Sequence, residues 1–219
     1  ANLLHDRTIR HFKDEDRATD ADSGKELPDF YKDRRTKFEK DVGKVIFSTP
    51  FRRLQDKAQV FPLEPMDGIR TRASHSAEVA NVARDLARTV ARELQERGDF
   101  GEEEAEAFAT IAYVCGHLHD FGNPPFGHAG EDAIKMWFDK QEPDFWNRFN
   151  VSEDLQKDFC CFDGNAQTLR LVSGLQILGD LNGLNLTAGT FSALVKYQAD
   201  CHSIDTENKF YKKLGFFQS

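Results

Sequence analysis

The chain has no run of about 18 apolar residues, the length a membrane-spanning helix needs, so no membrane span is expected. Its first residues, ANLLHDRTIRHFKDEDR, are polar and charged and lack the apolar core of a signal peptide. Cysteine is scarce, with four in 219 residues (Cys115, Cys160, Cys161 and Cys201), and none forms a CxxC pair. That argues against a disulfide framework or a thiolate zinc site and fits reduced thiols in a cytoplasmic protein. Excess positive charge is also missing. The net charge of −8 disfavours broad coating of DNA or RNA, while leaving room for a local basic pocket that takes a compact polyanion such as a nucleotide. No sustained period-two alternation and no internal repeat are visible. This removes sandwiches, barrels and solenoids and leaves a mostly α chain. The first residue is Ala1 rather than methionine, and KLGFFQS at the end has neither a helix stop nor a polar tail. The expectation is a fragment of a longer chain.

What is present divides into a polar arm, residues 1–40, and a domain from 41 to 219 that is expected to be incomplete at its C-terminal end. Val45, Ile46, Phe51, Leu54 and Ala58 recur at helical spacing, and Pro50 divides them into two short helices. QVFPLEPMDGIR is a connector. A long helix follows over Ala73–Arg97, stopped by Gly98, with Val79, Val82, Leu86 and Val90 as its apolar face. A helix over Glu102–Leu118 opens on three acids that suit the positive end of its dipole. FGNPPFG is a rigid turn, and helix resumes over His128–Phe138. Residues 140–162 are mixed, with a short helix near Ser152–Phe159. Further helices are expected over Asn165–Ile177 and Thr190–Tyr197, with GDLNGLNLT between them as a turn-rich connector carrying a short hairpin arm.

The chemical signal is His119–Asp120. A neutral imidazole supplies nitrogen and the adjacent carboxylate supplies charge and oxygen to one metal ion. The dipeptide alone is weak evidence, and His5–Asp6 in the polar arm is a second copy without support. Three neighbours strengthen the first. His75 opens the preceding long helix, the stiff turn delivers His128 back toward the pair, and Glu131 stands three residues later on the same face. An isolated histidine is usually a surface or satisfied core residue, and His117 and His202 are read that way. The group of five is harder to assign to background. Its donor set suits Mn²⁺, Fe²⁺, Co²⁺ or Ni²⁺, with Mg²⁺ also open.

RTRASHSAEVANVAR, HLHDFGNPPFGHAGE and FDGNAQTLRLV together resemble the deoxyguanosine triphosphate triphosphohydrolase (dGTPase) family of the HD-domain phosphohydrolase superfamily. FRRLQDKAQVFPLE and KLGFFQS carry the resemblance from about residue 40 to residue 219. It implies an HD-domain helical fold, the N-terminal part of a larger all-α enzyme, and hydrolysis of a deoxynucleoside triphosphate, dGTP first among them, to deoxynucleoside and tripolyphosphate. The implied metal ligands are His75, His119 and Asp120, with Mn²⁺ or Mg²⁺ as the favoured ion. The family's fourth ligand is an aspartate on a helix beyond the KLGFFQS segment, with no match in this chain; the surroundings of Asp200 and Asp205 do not resemble it. His128 matches the catalytic histidine and Glu131 its supporting carboxylate. Asn165 is implied near the phosphates, Lys196, Tyr197 and Lys213 at triphosphate and sugar, and Gln55 at the sugar 3′-hydroxyl. Arg52 and Arg53 are read either as phosphate contacts or as buried ion pairs. The resemblance also implies a homo-oligomer, a hexamer being one form, and single-stranded DNA as a regulator.

Two alternatives stay open at this level. One is an HD phosphohydrolase of another nucleotide specificity, against which the PPFGHAGE and NAQTLR segments argue. The other is a nucleotide-sensing HD module without turnover, for which the unmatched fourth aspartate is the support.

Overall fold

The computed structural model describes residues 33–57, 68, 70–175 and 182–218. Among them the regular elements are all helices, and an isolated bridge pairs Ala199 with Leu214. The QVFPLEPMDGIR connector, the arm up to residue 32 and the His5–Asp6 pair lie almost wholly outside the described residues.

Helix α1 (Lys37–Ile46) begins inside the segment read as arm, because Thr36 and Glu39 form a reciprocal capping box that satisfies its first amides. Ser48 caps α2 (Thr49–Arg53), with Pro50 in its first turn as expected, and a 3₁₀ turn (Leu54–Asp56) follows. The long helix α3 (Arg72–Glu96) ends at Arg97, and Gly98 takes a positive φ just beyond it. Helix α4 (Glu102–Leu118) carries His119 as its C-cap. Helix α5 (His128–Asp139) follows the proline turn. The mixed region holds two helices, α6 (Pro143–Arg148) and α7 (Glu153–Cys160), where one was expected. The first was masked in sequence by its density of aromatics. Phe145 and Trp146 join Trp137, Phe138 and Phe159 in a ring cluster that ties α5, α6 and α7 together.

Helix α8 (Gly164–Arg170) passes into a π turn (Leu171–Leu175) rather than running on as regular α-helix, and residues 176–181 fall outside the described residues. The final helix α9 (Ala188–Leu194) is shorter than expected and gives way to extended chain at Val195. Among described residues, 182–187 is a turn and extended chain with no hairpin.

Helices α3 and α4 form the largest packing interface. Here most of the expected apolar face is reversed, with Val79 alone of the four half-buried. Ala80, Ala87 and Ala91 are buried, while Val82, Leu86 and Val90 are exposed. The cause is how closely the two axes approach. A Cβ on Gly116 of α4 would lie 2.4 Å from the Cα of Ala80. Only the small side chains fit there, and the larger ones are turned outward. The main core gathers Val45, Leu54, Val114, Leu118, Phe121, Val172, Leu184 and Leu186 beneath the C-terminal end of α4, so the HD pair sits on a rigid floor.

Candidate metal and catalytic site

His75 lies in the first turn of α3, and His119 and Asp120 follow the last turn of α4. The close packing of these two helices brings all three together, with one ligand atom from each lying within 4.8 Å of the others. The two imidazoles meet edge to face, with centroids 5.2 Å apart. His119 Nδ1 is 2.7 Å from the Gly116 carbonyl. A carbonyl can only accept, so Nδ1 carries the proton and Nε2 presents its lone pair. Burial, followed by the neighbouring His119, pushes the pKa of His75 below the usual histidine value, which favours its neutral, metal-binding form. Two neutral imidazole nitrogens and a carboxylate oxygen at this spacing suit a divalent cation. No other group of three such side chains stands close enough among the described residues. Asp200 instead closes a local loop with His202, Ser203 and Gln218, and Asp205 accepts from the Glu207 amide.

Asp120 is anchored from both sides by residues the sequence reading did not single out. Arg72 Nη1 donates to Oδ2 at 2.8 Å in a buried ion pair, the two side chains 7% and 9% exposed. The Asn123 amide donates to Oδ1 at 2.5 Å, and Lys57 Nζ donates to the Asn123 carbonyl at 2.9 Å. Burial first, then the charges of Arg53 and Arg72, depress the Lys57 pKa. The only local hint of the Arg72 role was its place three residues before His75, one helical turn away.

The second half of the site is the His128–Glu131 pair. His128 Nδ1 lies 2.8 Å from Glu131 Oε2, with His128 78% exposed and Glu131 3%. The carboxylate accepts from Nδ1–H and so leaves the imidazole's Nε2 facing outward. Its other oxygen, Oε1, accepts from the Gly164 amide at 3.0 Å, the start of α8. A Cβ at Gly164 would come within 2.3 Å of Asn123 Oδ1 and 2.7 Å of Glu131 Oε1, so only glycine allows the two halves to close over this point. The turn itself also touches the metal half. A Cβ on Gly127 would lie 2.6 Å from Arg72 Nη2.

A cavity of about 260 Å³ opens beside His119, lined by Cys115, Asn165, Thr168, Ala193, Leu194 and Lys196. Two of the expected substrate residues, Asn165 and Lys196, therefore stand with a metal ligand at one hollow. Asn165 is steadied by Asp163 Oδ1, which accepts from both its amides at 2.8 and 2.7 Å. Lys213 reaches the same aspartate at 3.6 Å but is not on the cavity wall. Tyr197 is buried, with Lys196 and Lys212 over its ring, and Gln55 is exposed on the 3₁₀ turn. Arg52 and Arg53 are both exposed, so the buried ion-pair reading of them does not hold. His117 is a core residue, edge-on to Phe51 and Tyr113, but not the satisfied one expected, since neither ring nitrogen has a hydrogen-bond partner. His202 pairs on the surface with Asp154.

Against known proteins, the HD domain model matches residues 72–158, the span that holds His75, the HD pair and the His128–Glu131 pair. A deoxyguanosinetriphosphate triphosphohydrolase-like protein of Listeria monocytogenes is 42% identical over 193 residues, 84% of this chain and 42% of its own length. One from Synechocystis sp. is 39% identical over 206 residues, covering 90% of this chain and 46% of the relative. A deoxyguanosinetriphosphate triphosphohydrolase of Cronobacter sakazakii is 37% identical, with 83% of this chain and 41% of the relative covered. The chain thus spans less than half the length of these curated relatives. No helix among the described residues is long and apolar enough to cross a membrane. An all-α fold, a His-His-Asp group at the junction of two helices and the match over residues 72–158 agree with one another, and the chain carries an HD domain over residues 72–158.

Proposed function

We propose that this chain supplies the metal-binding and acid–base half of an enzyme that hydrolyses a deoxynucleoside triphosphate, dGTP foremost, to deoxynucleoside and tripolyphosphate. The observation that carries the reading is the convergence of His75, His119 and Asp120 within 4.8 Å, joined through Arg72 and Gly164 to a carboxylate-held histidine. The relatives named for this reaction support the substrate class.

A divalent ion held by the His75, His119 and Asp120 side chains would lower the pKa of water and offset phosphate charge. Mn²⁺ or Mg²⁺ is the proposed occupant, with Fe²⁺, Co²⁺ and Ni²⁺ compatible with the donor set. The rest falls to the chain's own groups. Water oxygen forms a bond to the α-phosphorus, the bond from that phosphorus to the 5′-oxygen breaks, and the 5′-oxygen takes a proton. His128 Nε2 is the group that transfers a proton, with Glu131 fixing its tautomer. Asn165 and Lys196 line the hollow at His119 that receives phosphate oxygens. Lys213, Tyr197 and Gln55 are assigned to the outer contacts with triphosphate and sugar. The same reading carries a homo-oligomer, a regulatory response to single-stranded DNA and a cytoplasmic setting.

The test is a product assay on the full-length protein. Each deoxynucleoside triphosphate is incubated with Mn²⁺ or Mg²⁺ and the phosphorus products are identified by ³¹P NMR. The expected result is tripolyphosphate from the wild type and none from a His119→Ala/Asp120→Ala double variant. Pyrophosphate or orthophosphate as the product would overturn the reaction assigned.

A further inference from the structure

Phe126 stands out from every other residue of the proline turn. The turn is closed by the Gly127 amide donating to the Pro124 carbonyl at 3.1 Å, with Pro125 second and Phe126 third. Phe126 has φ +67°, a left-handed conformation that this position of a proline turn normally gives to glycine or asparagine. A bulky aromatic there is under backbone strain. Burial does not compensate it, because the residue is 70% exposed. Folding of the described chain therefore explains neither the strain nor the exposed ring. Glycine would satisfy the turn better, and a polar residue would suit the solvent better.

Place supplies the explanation. Phe126 lies two residues before His128, and Gly127 between them is in near contact with the Arg72 guanidinium that holds Asp120. The inner side of the turn lies against the buried Arg72–Asp120 ion pair of the metal half. The phenyl ring has no attraction for a polyanion, but it can pack on a sugar edge and a base face. We infer that Phe126 is a substrate-contacting specificity residue, whose ring packs against the deoxynucleoside half of the nucleotide while the phosphates lie toward Arg72 and the metal ligands. This rests on the nucleotide-hydrolase reading of the site. It adds a group that would tell a nucleotide from a bare polyphosphate.

The experiment compares full-length wild type with Phe126→Gly and Phe126→Leu. For Phe126→Gly the expected KM for dGTP rises about tenfold, the scale of a base–aromatic contact. The inhibition constant of inorganic tripolyphosphate stays at the wild-type value, and Tm is equal or higher because the strain is gone. Phe126→Leu keeps the strain and part of the apolar surface, so its KM falls between the two without a gain in Tm. A Phe126→Gly KM within twofold of wild type would refute the inference, as would an equal weakening of tripolyphosphate or a change of oligomeric state. Titration of deoxyguanosine by calorimetry reads the same contact without turnover. Weaker binding to Phe126→Gly sustains the inference even if the wild type releases no tripolyphosphate, a result that would strike the hydrolytic reading alone.

Discussion

Removing the guanidinium of Arg72 while keeping its stem, as in Arg72→Met, tests the electrostatics on which the metal half depends. In the metal-free protein Asp120 keeps its bond from Asn123 but loses, in a buried setting, the guanidinium that pairs with it at 2.8 Å. Stranding a buried charge in this way costs about 3–5 kcal/mol. The lower end applies, because the Arg72 Nε already lacks a hydrogen-bond partner in the wild type and its burial is itself unfavourable. For a chain of 219 residues, about 3 kcal/mol corresponds to a Tm lowered by roughly 6–12 °C. A divalent cation bound at Asp120 would replace the missing charge. The stability gained from Mn²⁺ should therefore be larger in the variant than in the wild type, since a ligand that binds only the folded state stabilises it more the more tightly it binds. Calorimetric melts in EDTA and at several Mn²⁺ concentrations measure both quantities, with His119→Ala/Asp120→Ala as the metal-blind control. An EDTA Tm equal to wild type would refute the claim that the ion pair compensates Asp120. Equal Mn²⁺ gains in the two proteins would refute its link to the metal.

Glu131→Gln removes the charge that fixes His128 and should lower kcat by roughly 10- to 100-fold with a smaller change in KM, read by steady-state deoxynucleoside release. His119→Ala/Asp120→Ala should abolish metal binding in calorimetric titrations while the helical circular dichroism persists. Gly116→Ala places a methyl 2.4 Å from the Ala80 Cα and should cost about 1–3 kcal/mol in urea unfolding, the scale of core overpacking. Burial, then the charges of Arg84 and His119, hold the His117 pKa down to about 4, and neither of its ring nitrogens has a hydrogen-bond partner. Its contribution to stability is thus full above about pH 6.5 and is lost as pH falls toward 4, where the unfolded chain takes a proton the folded chain refuses, at up to about 1.4 kcal/mol per pH unit. His117→Phe should flatten that part of the pH–stability curve.

The site was legible in the sequence to the extent that it is local. His119 and Asp120 are adjacent at a helix end, and Glu131 lies three residues after His128, on the same helix face. The turn between the pairs is written in prolines and glycines. What the sequence hid arises where segments far apart meet. Arg72 reads as one more surface arginine until α3 lies against α4 and its guanidinium lands on Asp120, 48 residues away. Asn123 reads as turn chemistry until its amide meets the same carboxylate, and Gly164 is one letter of FDGNAQTLRLV until Asn123 and Glu131 are found against it.

The reversed face of α3 has the same origin. Hydrophobic periodicity ranks Val82 and Leu86 above Ala80 and Ala87, because it weighs each residue's transfer energy and ignores the distance between helices. That distance is set by the partner, where Gly116 lets the two backbones come together. The close approach in turn brings the first turn of α3 to the end of α4, and with it His75 to His119 and Arg72 to Asp120. Larger side chains in the interface would bury more apolar area and hold the helices further apart, outside the 4.8 Å within which the three ligand atoms now gather. The small-residue face is therefore part of the metal site's construction, and metal affinity should fall with each methylene added to it, ahead of any loss of helical content.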